Sequence, residues 1–179
     1  MKEVRPTTGK TLSALFSILT SAYGTLVGRT FLDLFSGTGR VAKTARDCGA
    51  EIVTVELLRD RAAEIRRSLG EEKHTQLCMD VRRALKWLRK RGMTFDIIFA
   101  DPPYDMEWGS ELPRIIAAGD VLKSGGTVII EHSESEKLDL AGTPYELIDS
   151  RKYGKSVLGF LRACGAQDEA SDAGETPPA

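Results

Sequence analysis

Cysteine, histidine and aromatic residues are scarce in this chain, and long apolar runs are missing. The three cysteines, Cys48, Cys78 and Cys164, are odd in number and far apart, which argues against a disulfide framework and a thiolate zinc cluster. The two histidines, His74 and His132, belong to no metal or triad arrangement. Both are expected to be structural, and no metal site is expected. No apolar stretch approaches the roughly 20 residues of a membrane-spanning helix. The start, MKEVRPTT, lacks the apolar centre of a signal peptide. These absences lead to the expectation of a cytoplasmic protein with reduced thiols and no membrane partner.

With 41% hydrophobic and 28% charged residues, the composition is that of a soluble globular domain. A length of 179 residues suffices for one core and leaves no room for a separate substrate domain. Residues 1–164 are expected to fold as that domain, as a monomer, and residues 165–179, GAQDEASDAGETPPA, to form a disordered acidic tail. The tail holds four acids and no Lys or Arg, so the net charge of −1 conceals a body of 22 acids against 25 bases, or +3. Within that body Arg82, Arg83, Lys86, Arg89, Lys90 and Arg91 make a dense basic stretch. It reads equally well as a phosphate-attracting surface or as a solvated helix face.

Short β-rich runs alternate with helical periodicity. Thr7 or Thr8 can cap a first helix whose apolar stripe is Leu12, Leu15, Phe16, Leu19 and Tyr23. Strands are predicted at Thr30–Phe35, Glu51–Glu56, Thr75–Met79, Phe95–Ala100 and Thr127–Glu131. Helices are predicted over Val41–Cys48, Arg59–Leu69, Val81–Arg91 and Gly109–Ala118. This alternation implies a Rossmann-like α/β fold, a mostly parallel sheet with helices on both faces. Tyr145–Arg151 and Val157–Ala163, separated by a short turn, predict a closing antiparallel hairpin and a seventh strand.

In such a sheet ligands sit beyond the carboxyl ends of the strands, where the strand order reverses. Four carboxylates fall at four consecutive strand ends: Asp33, Glu56, Asp80 and Asp101. Asp101 opens the segment Asp101-Pro102-Pro103-Tyr104, which delivers an acid, a stiffened carbonyl and an aromatic ring to one point. An exocyclic base amine is a poor nucleophile while its lone pair is delocalised into the ring. Acceptors that take its two N–H groups let it pyramidalise, and Asp101 and the Pro102 carbonyl can be those acceptors. Pro103 removes the following N–H and holds residue 102 extended. Tyr104 offers a stacking face worth about 1–3 kcal/mol per base. The bland alternative is a stiffened strand-to-loop turn.

The loop Asp33-Leu34-Phe35-Ser36-Gly37-Thr38-Gly39 permits a tight turn and close approach of a ligand to the backbone. With Ala42 it also satisfies the loose dinucleotide pattern, and Glu56 suits ribose hydroxyls of either a dinucleotide or S-adenosylmethionine. Asp33 favours the second, since an anion beside the loop matches an ammonium better than a pyrophosphate. Asp80 adds an acceptor for an adenine amine. Trp108, just after the Asp-Pro-Pro-Tyr segment, suits a mobile lid, whereas Trp87 on its helix suits packing.

Together these motifs resemble the class I S-adenosylmethionine-dependent methyltransferases that act on amines. More narrowly, Arg5-Pro6-Thr7, Leu15-Phe16, the DLFSGTG and DPPY motifs and Tyr153-Gly154-Lys155-Ser156 resemble the RsmD family of 16S ribosomal RNA guanine-N2 methyltransferases, over residues 5 to 162. The resemblance implies that Asp33 and the Gly37–Gly39 loop hold the methionine end of the cofactor, Glu56 its ribose and Asp80 its adenine, with Phe35, Leu57 and Val81 as further cofactor-binding residues. It implies that Asp101, Pro102 and Tyr104 orient the guanine amine. Pro103, Arg5, Lys152, Tyr153 and Lys155 would then contact RNA, either free 16S ribosomal RNA or an assembling small subunit. Two alternatives stay open: an adenine-N6 methyltransferase acting on DNA or RNA, and a non-catalytic nucleic-acid-binding protein that keeps the cofactor site.

Overall fold

A computed structural model describes residues 9–103 and 108–164 of the chain. The elements run α1 (Gly9–Tyr23), β1 (Thr30–Asp33), α2 (Arg40–Asp47), β2 (Glu51–Val55), α3 (Arg59–Leu69), β3 (His74–Leu77), α4 (Val81–Lys90), β4 (Phe95–Ala100), α5 (Trp108–Gly119), β5 (Leu122–Ser133), β6 (Tyr145–Tyr153) and β7 (Ser156–Ala163). The expected cap at Thr7 or Thr8 and the acidic tail lie outside the described residues.

All seven strands form one sheet in the order β3-β2-β1-β4-β5-β7-β6. The first five are parallel, and β7 lies antiparallel between β5 and β6. This is the mostly parallel sheet with a closing hairpin that the sequence implies. The strand order reverses between β1 and β4, so the crevice for a ligand opens above the carboxyl ends of those two strands.

Alternation along the central strands divides the core in two. Leu32, Val53, Ile98 and Val128 pack on one face against Ala84, Leu85 and Leu88 of α4 and Leu112 and Ile116 of α5. Phe31, Ile52, Ile97, Phe99 and Ile129 pack on the other against α1, α2 and α3 through Leu15, Leu19, Val41, Ala45 and Ile65. β4 is buried along its whole length, as expected of a parallel strand covered on both faces. β5 begins at Leu122, where it pairs with Phe95, well before the predicted Thr127. Gly125 and Gly126 conceal this extension in the sequence: Gly125 is left-handed at φ +71°, and a Cβ on Gly126 would lie 2.8 Å from Leu122 Cδ1.

The amino edge of the sheet, opposite the crevice, is clasped by a carboxylate inside the apolar run of β4. Asp96 accepts hydrogen bonds from Arg29 Nη1 (3.0 Å), the Thr30 amide and hydroxyl (both 2.9 Å) and Lys123 Nζ (2.8 Å). The Arg29 guanidinium lies 5.2 Å from the Tyr23 ring centre, and the Tyr23 hydroxyl donates to the Asp96 carbonyl. α1, β1, β4 and β5 are thereby tied together at one point. Burial alone would raise the Asp96 pKa, but the bonds from Lys123, Thr30 and Arg29 outweigh it and hold the carboxyl well below the usual carboxylate range. Asp96→Ala is therefore expected to cost about 2–4 kcal/mol at neutral pH, measured by denaturant unfolding. Because the folded pKa is depressed, this stabilisation is present above about pH 4 and drains away as pH falls toward the folded pKa. A loss below about 0.5 kcal/mol, the range of an ordinary surface change, would show that the clasp contributes nothing.

Candidate active site

Asp33 is the last residue of β1 and is 1% exposed. Its Oδ1 has no hydrogen-bond partner. Burial pushes the carboxyl up to about 7, an effect that the Phe35 amide, the Ser36 hydroxyl and the Ala42 amide only partly offset and that the nearby Glu56 charge reinforces. A buried acid with an orphaned oxygen has room for a cation in its coordination, and an ammonium would supply both the charge and the missing donor.

From Asp33 the chain turns sharply into α2. The Leu34 amide donates to the Phe99 carbonyl, the Ser36 amide to Val55 and the Ser36 hydroxyl to the Asp33 carbonyl, so the turn is stitched to both neighbouring strands. Gly37 and Gly39 are left-handed at φ +51° and +74°. At Gly39 a Cβ would also come within 3.1 Å of Ile65, so this position is doubly restricted to glycine. The Gly37 amide donates to Glu56 Oε2 at 2.9 Å, and the Leu58 amide donates to Oε1 at 2.8 Å. Glu56, 8% exposed and just beyond β2, thus anchors the glycine loop, and each carboxylate oxygen keeps acceptor capacity for a hydroxyl. Leu57 follows it and is 64% exposed, presenting an apolar surface beside these acids.

Asp80 has a second task that the sequence did not disclose. It is the N-cap of α4, where Oδ1 accepts from the Arg82 amide (2.9 Å) and the Arg83 amide (3.4 Å), so only part of its acceptor capacity is left for a ligand. Val81 is buried as the first residue of α4. Strand pairing brings this corner to Glu56, whose amide donates to the Leu77 carbonyl.

Directly across the crevice, β4 delivers Asp101, half-buried, Pro102, buried, and Pro103, exposed. Asp101 stands two residues beyond Phe99, the residue whose carbonyl holds Leu34, so the Asp-Pro-Pro segment and the glycine loop leave adjacent strands at the switch point. Tyr104 and Arg5 lie outside the described residues. Lys152 and Tyr153 end β6, and Lys155 lies in the turn that leads from β6 into β7. Ser156 pairs with Ser133 at the carboxyl end of β5, so this turn shares the edge of the crevice but stands beyond β5 rather than over the acids. Lys152 forms an ion pair with Glu134.

Trp108 is not a lid. It heads α5, is 7% exposed, and meets the Phe35 ring edge-on at a centroid distance of 5.2 Å. The Arg82 guanidinium lies 4.9 Å from its ring centre and is tied to Glu111. Trp108 therefore braces the glycine loop, through Phe35, against the helix that follows the Asp-Pro-Pro segment. Glu136 fixes the same helix start by accepting from the Gly109 amide at 2.5 Å. Neither contact carries a sequence signal, because each joins residues far apart in the chain.

An acidic pocket floor, a glycine loop and an exposed apolar side chain suit a ligand with an ammonium, two neighbouring hydroxyls and a flat ring system. S-adenosylmethionine has all of these, and the orphaned Asp33 oxygen is the observation that fits its ammonium best. The family model described as Conserved hypothetical protein 95 matches residues 1–162. The Bacillus subtilis (strain 168) protein named Putative rRNA methyltransferase YlbH is 30% identical over 168 residues, covering 90% of this chain and 89% of that protein. The Rickettsia prowazekii (strain Madrid E) protein named Uncharacterized methylase RP545 is 26% identical and covers 88% of each chain. Among solved structures, the Putative methyltransferase yhhF from Escherichia coli has the same fold, with a TM-score of 0.75 at 17% identity over 89% of this chain and 88% of that one. The chain belongs to the family described as Conserved hypothetical protein 95, the RsmD-like class I S-adenosylmethionine-dependent methyltransferases.

Proposed function

We propose that this methyltransferase acts on the exocyclic N2 amine of a guanine in 16S ribosomal RNA, either free or in an assembling small subunit. The observation that carries the reading is the placement of Asp101-Pro102-Pro103 at the switch point, on the strand adjacent to the one that ends in Asp33. The name of the Bacillus relative favours ribosomal RNA over DNA as the polymer.

When bound, the sulfonium supplies a methyl group that is already activated, so the residues of this chain have chiefly to position the amine. Asp101 accepts one N–H of the flipped base and the Pro102 carbonyl accepts the other, which localises the lone pair on nitrogen. Pro103 holds residue 102 extended, so the Pro102 carbonyl is not drawn into helical hydrogen bonding and is left to serve the amine. Tyr104 stacks on the base. Transfer would leave the nitrogen positively charged, and Asp101, as the acceptor of one of its N–H groups, would take up the excess proton or pass it to water. Asp101 thus works as an acceptor and need not be a strong base. Asp33 and Glu56 hold the methionine and ribose parts of the donor, and Leu57 covers its adenine side.

Incubation with methyl-labelled S-adenosylmethionine, small-subunit RNA or small-subunit particles lacking the modification, and duplex DNA in parallel tests the polymer. Label is expected in the RNA or the particles and not in the DNA. Label confined to DNA would replace this reading with a DNA methyltransferase.

A further inference from the structure

We infer that the carboxyl edge of the sheet bears a basic rim that docks the phosphate backbone of the RNA around the acidic pocket, with Arg59 and Arg83 among its contacts; this rests on the function proposed above. Three consecutive helices open on arginine: α2 with Arg40, α3 with Arg59, and α4 with Arg82 and Arg83 in its second and third positions. All four side chains are exposed. Each of these helices follows a parallel strand, so each begins at the edge that carries the pocket.

A helix N-terminus already carries a partial positive charge of about half a unit, so it favours acids and disfavours arginine. The first turns of α2 and α4 nonetheless contain no acid, and that of α3 contains only Asp60. The basic residues at the opposite ends need no such explanation. Arg46, Arg66, Arg67, Arg89 and Lys90 occupy last turns, where the dipole welcomes a cation. The basic stretch from Arg82 to Arg91 therefore divides: its far end is ordinary helix electrostatics, and its near end is not.

The placement also selects the partner. Asp33, Glu56, Asp80 and Asp101 make the pocket floor acidic, as suits a cationic donor and an amine, so the surrounding arginines do not serve that donor. α2 and α3 lie on one face of the sheet and α4 on the other, so their arginines cannot converge on one phosphate. They can contact successive phosphates of a strand whose flipped base enters between them. Arg82 is partly engaged by Glu111 and Trp108, which makes Arg59 and Arg83 the better probes.

The experiment compares two double variants of equal charge change: Arg59→Glu with Arg83→Glu, and Arg67→Glu with Lys90→Glu. Binding to a fluorescent small-subunit ribosomal RNA transcript is measured by anisotropy between 50 and 200 mM salt, roughly the range over which phosphate contacts reveal themselves. The first variant is expected to lose about 10–100-fold in affinity at the low-salt end and to show a salt slope shallower by about 2. The second is expected to stay within about threefold of the parent. Melting temperatures supply a readout that a structural role would move the other way, since the first variant gains acids at helix N-termini and is expected to melt no lower than the parent. Equal losses in both variants, or none in the first, would overturn the rim. S-adenosylhomocysteine titrations and methyl transfer by the unmodified protein separate this outcome from failure of the functional reading: a parent that neither binds the cofactor product nor methylates RNA would refute the function.

Discussion

Replacement of Asp101 by alanine is expected to lower the single-turnover rate of methyl transfer about 10²–10³-fold, the range set by loss of one preorganised hydrogen-bonding group at a reacting centre. Affinity for S-adenosylhomocysteine should stay within about threefold, because the donor is assigned to Asp33, Glu56 and Leu57 on neighbouring strands. The split follows from the chemistry. An acceptor that helps the amine pyramidalise acts in the transition state, so its removal lowers the rate rather than the binding of the donor. Asp101→Asn keeps one acceptor oxygen in place and should lose less than alanine, whereas a true general base would tolerate neither. Full activity in Asp101→Ala, with melting temperature unchanged, would remove Asp101 from the mechanism.

The second large effect concerns Asp33 and is read by pH. Its carboxyl, raised to about 7 by burial, holds a proton more tightly in the folded protein than in the unfolded chain. Between about pH 4 and pH 7 the folded state therefore carries more protons, and the ligand-free protein should lose stability as pH rises through that window. The three-unit interval corresponds to an effect of the order of 4 kcal/mol. Binding of an ammonium reverses the preference, since it favours the ionised carboxylate. Affinity for S-adenosylhomocysteine should then climb about tenfold from pH 6 to pH 8, because below the carboxyl pKa the incoming cation competes with a proton. Asp33→Asn should remove the fall in stability over this window, leaving the opposite rise contributed by His74, whose pKa burial lowers, and should remove the pH-dependent gain in affinity with it. Calorimetric titrations and thermal melts over this range check both; a flat affinity profile in the parent would show that Asp33 does not face the ammonium.

Much of this was legible in the sequence because the local signals agreed with the fold. The apolar run Phe95–Ala100 and the periodic stretch Arg59–Leu69 form their elements with the predicted bounds, the strand closed by Asp101-Pro102-Pro103 and the helix by Gly70. Because the helices cross between parallel strands, every acid at a strand end had to arrive at one edge, and this made Asp33, Glu56, Asp80 and Asp101 recognisable as a group. What was hidden depends on contacts between distant residues. In the sequence Asp96 is one acid within an apolar strand, and only the fold brings Arg29, Thr30 and Lys123 onto it. The sequence offers Asp80 as a ligand acceptor, and the fold commits part of its carboxylate to capping α4. Trp108, whose place just after the Asp-Pro-Pro-Tyr segment suits a mobile lid, is instead buried against Phe35 and acts as a brace.

These observations also explain how one edge of the molecule can hold opposite charges. The acids stand at strand ends, where the Gly37 and Leu58 amides hold Glu56 and the Arg82 amide holds Asp80, while Asp33 keeps one oxygen without a partner. The arginines stand on the first turns of the helices. On the proposed function, a cationic donor would be received by the acids and a polyanionic substrate by the arginines of the same edge.

The central claim is guanine-N2 methylation, and the most direct test is the identity of the modified nucleoside. Small-subunit particles lacking the modification would be incubated with the protein and S-adenosylmethionine, digested to nucleosides, and resolved by chromatography and mass fragmentation against standards. N2-methylguanosine, absent from the Asp101→Ala reaction, is the expected product. N6-methyladenosine, or no methylated nucleoside from a protein that binds the cofactor beside an active control enzyme, would contradict the account.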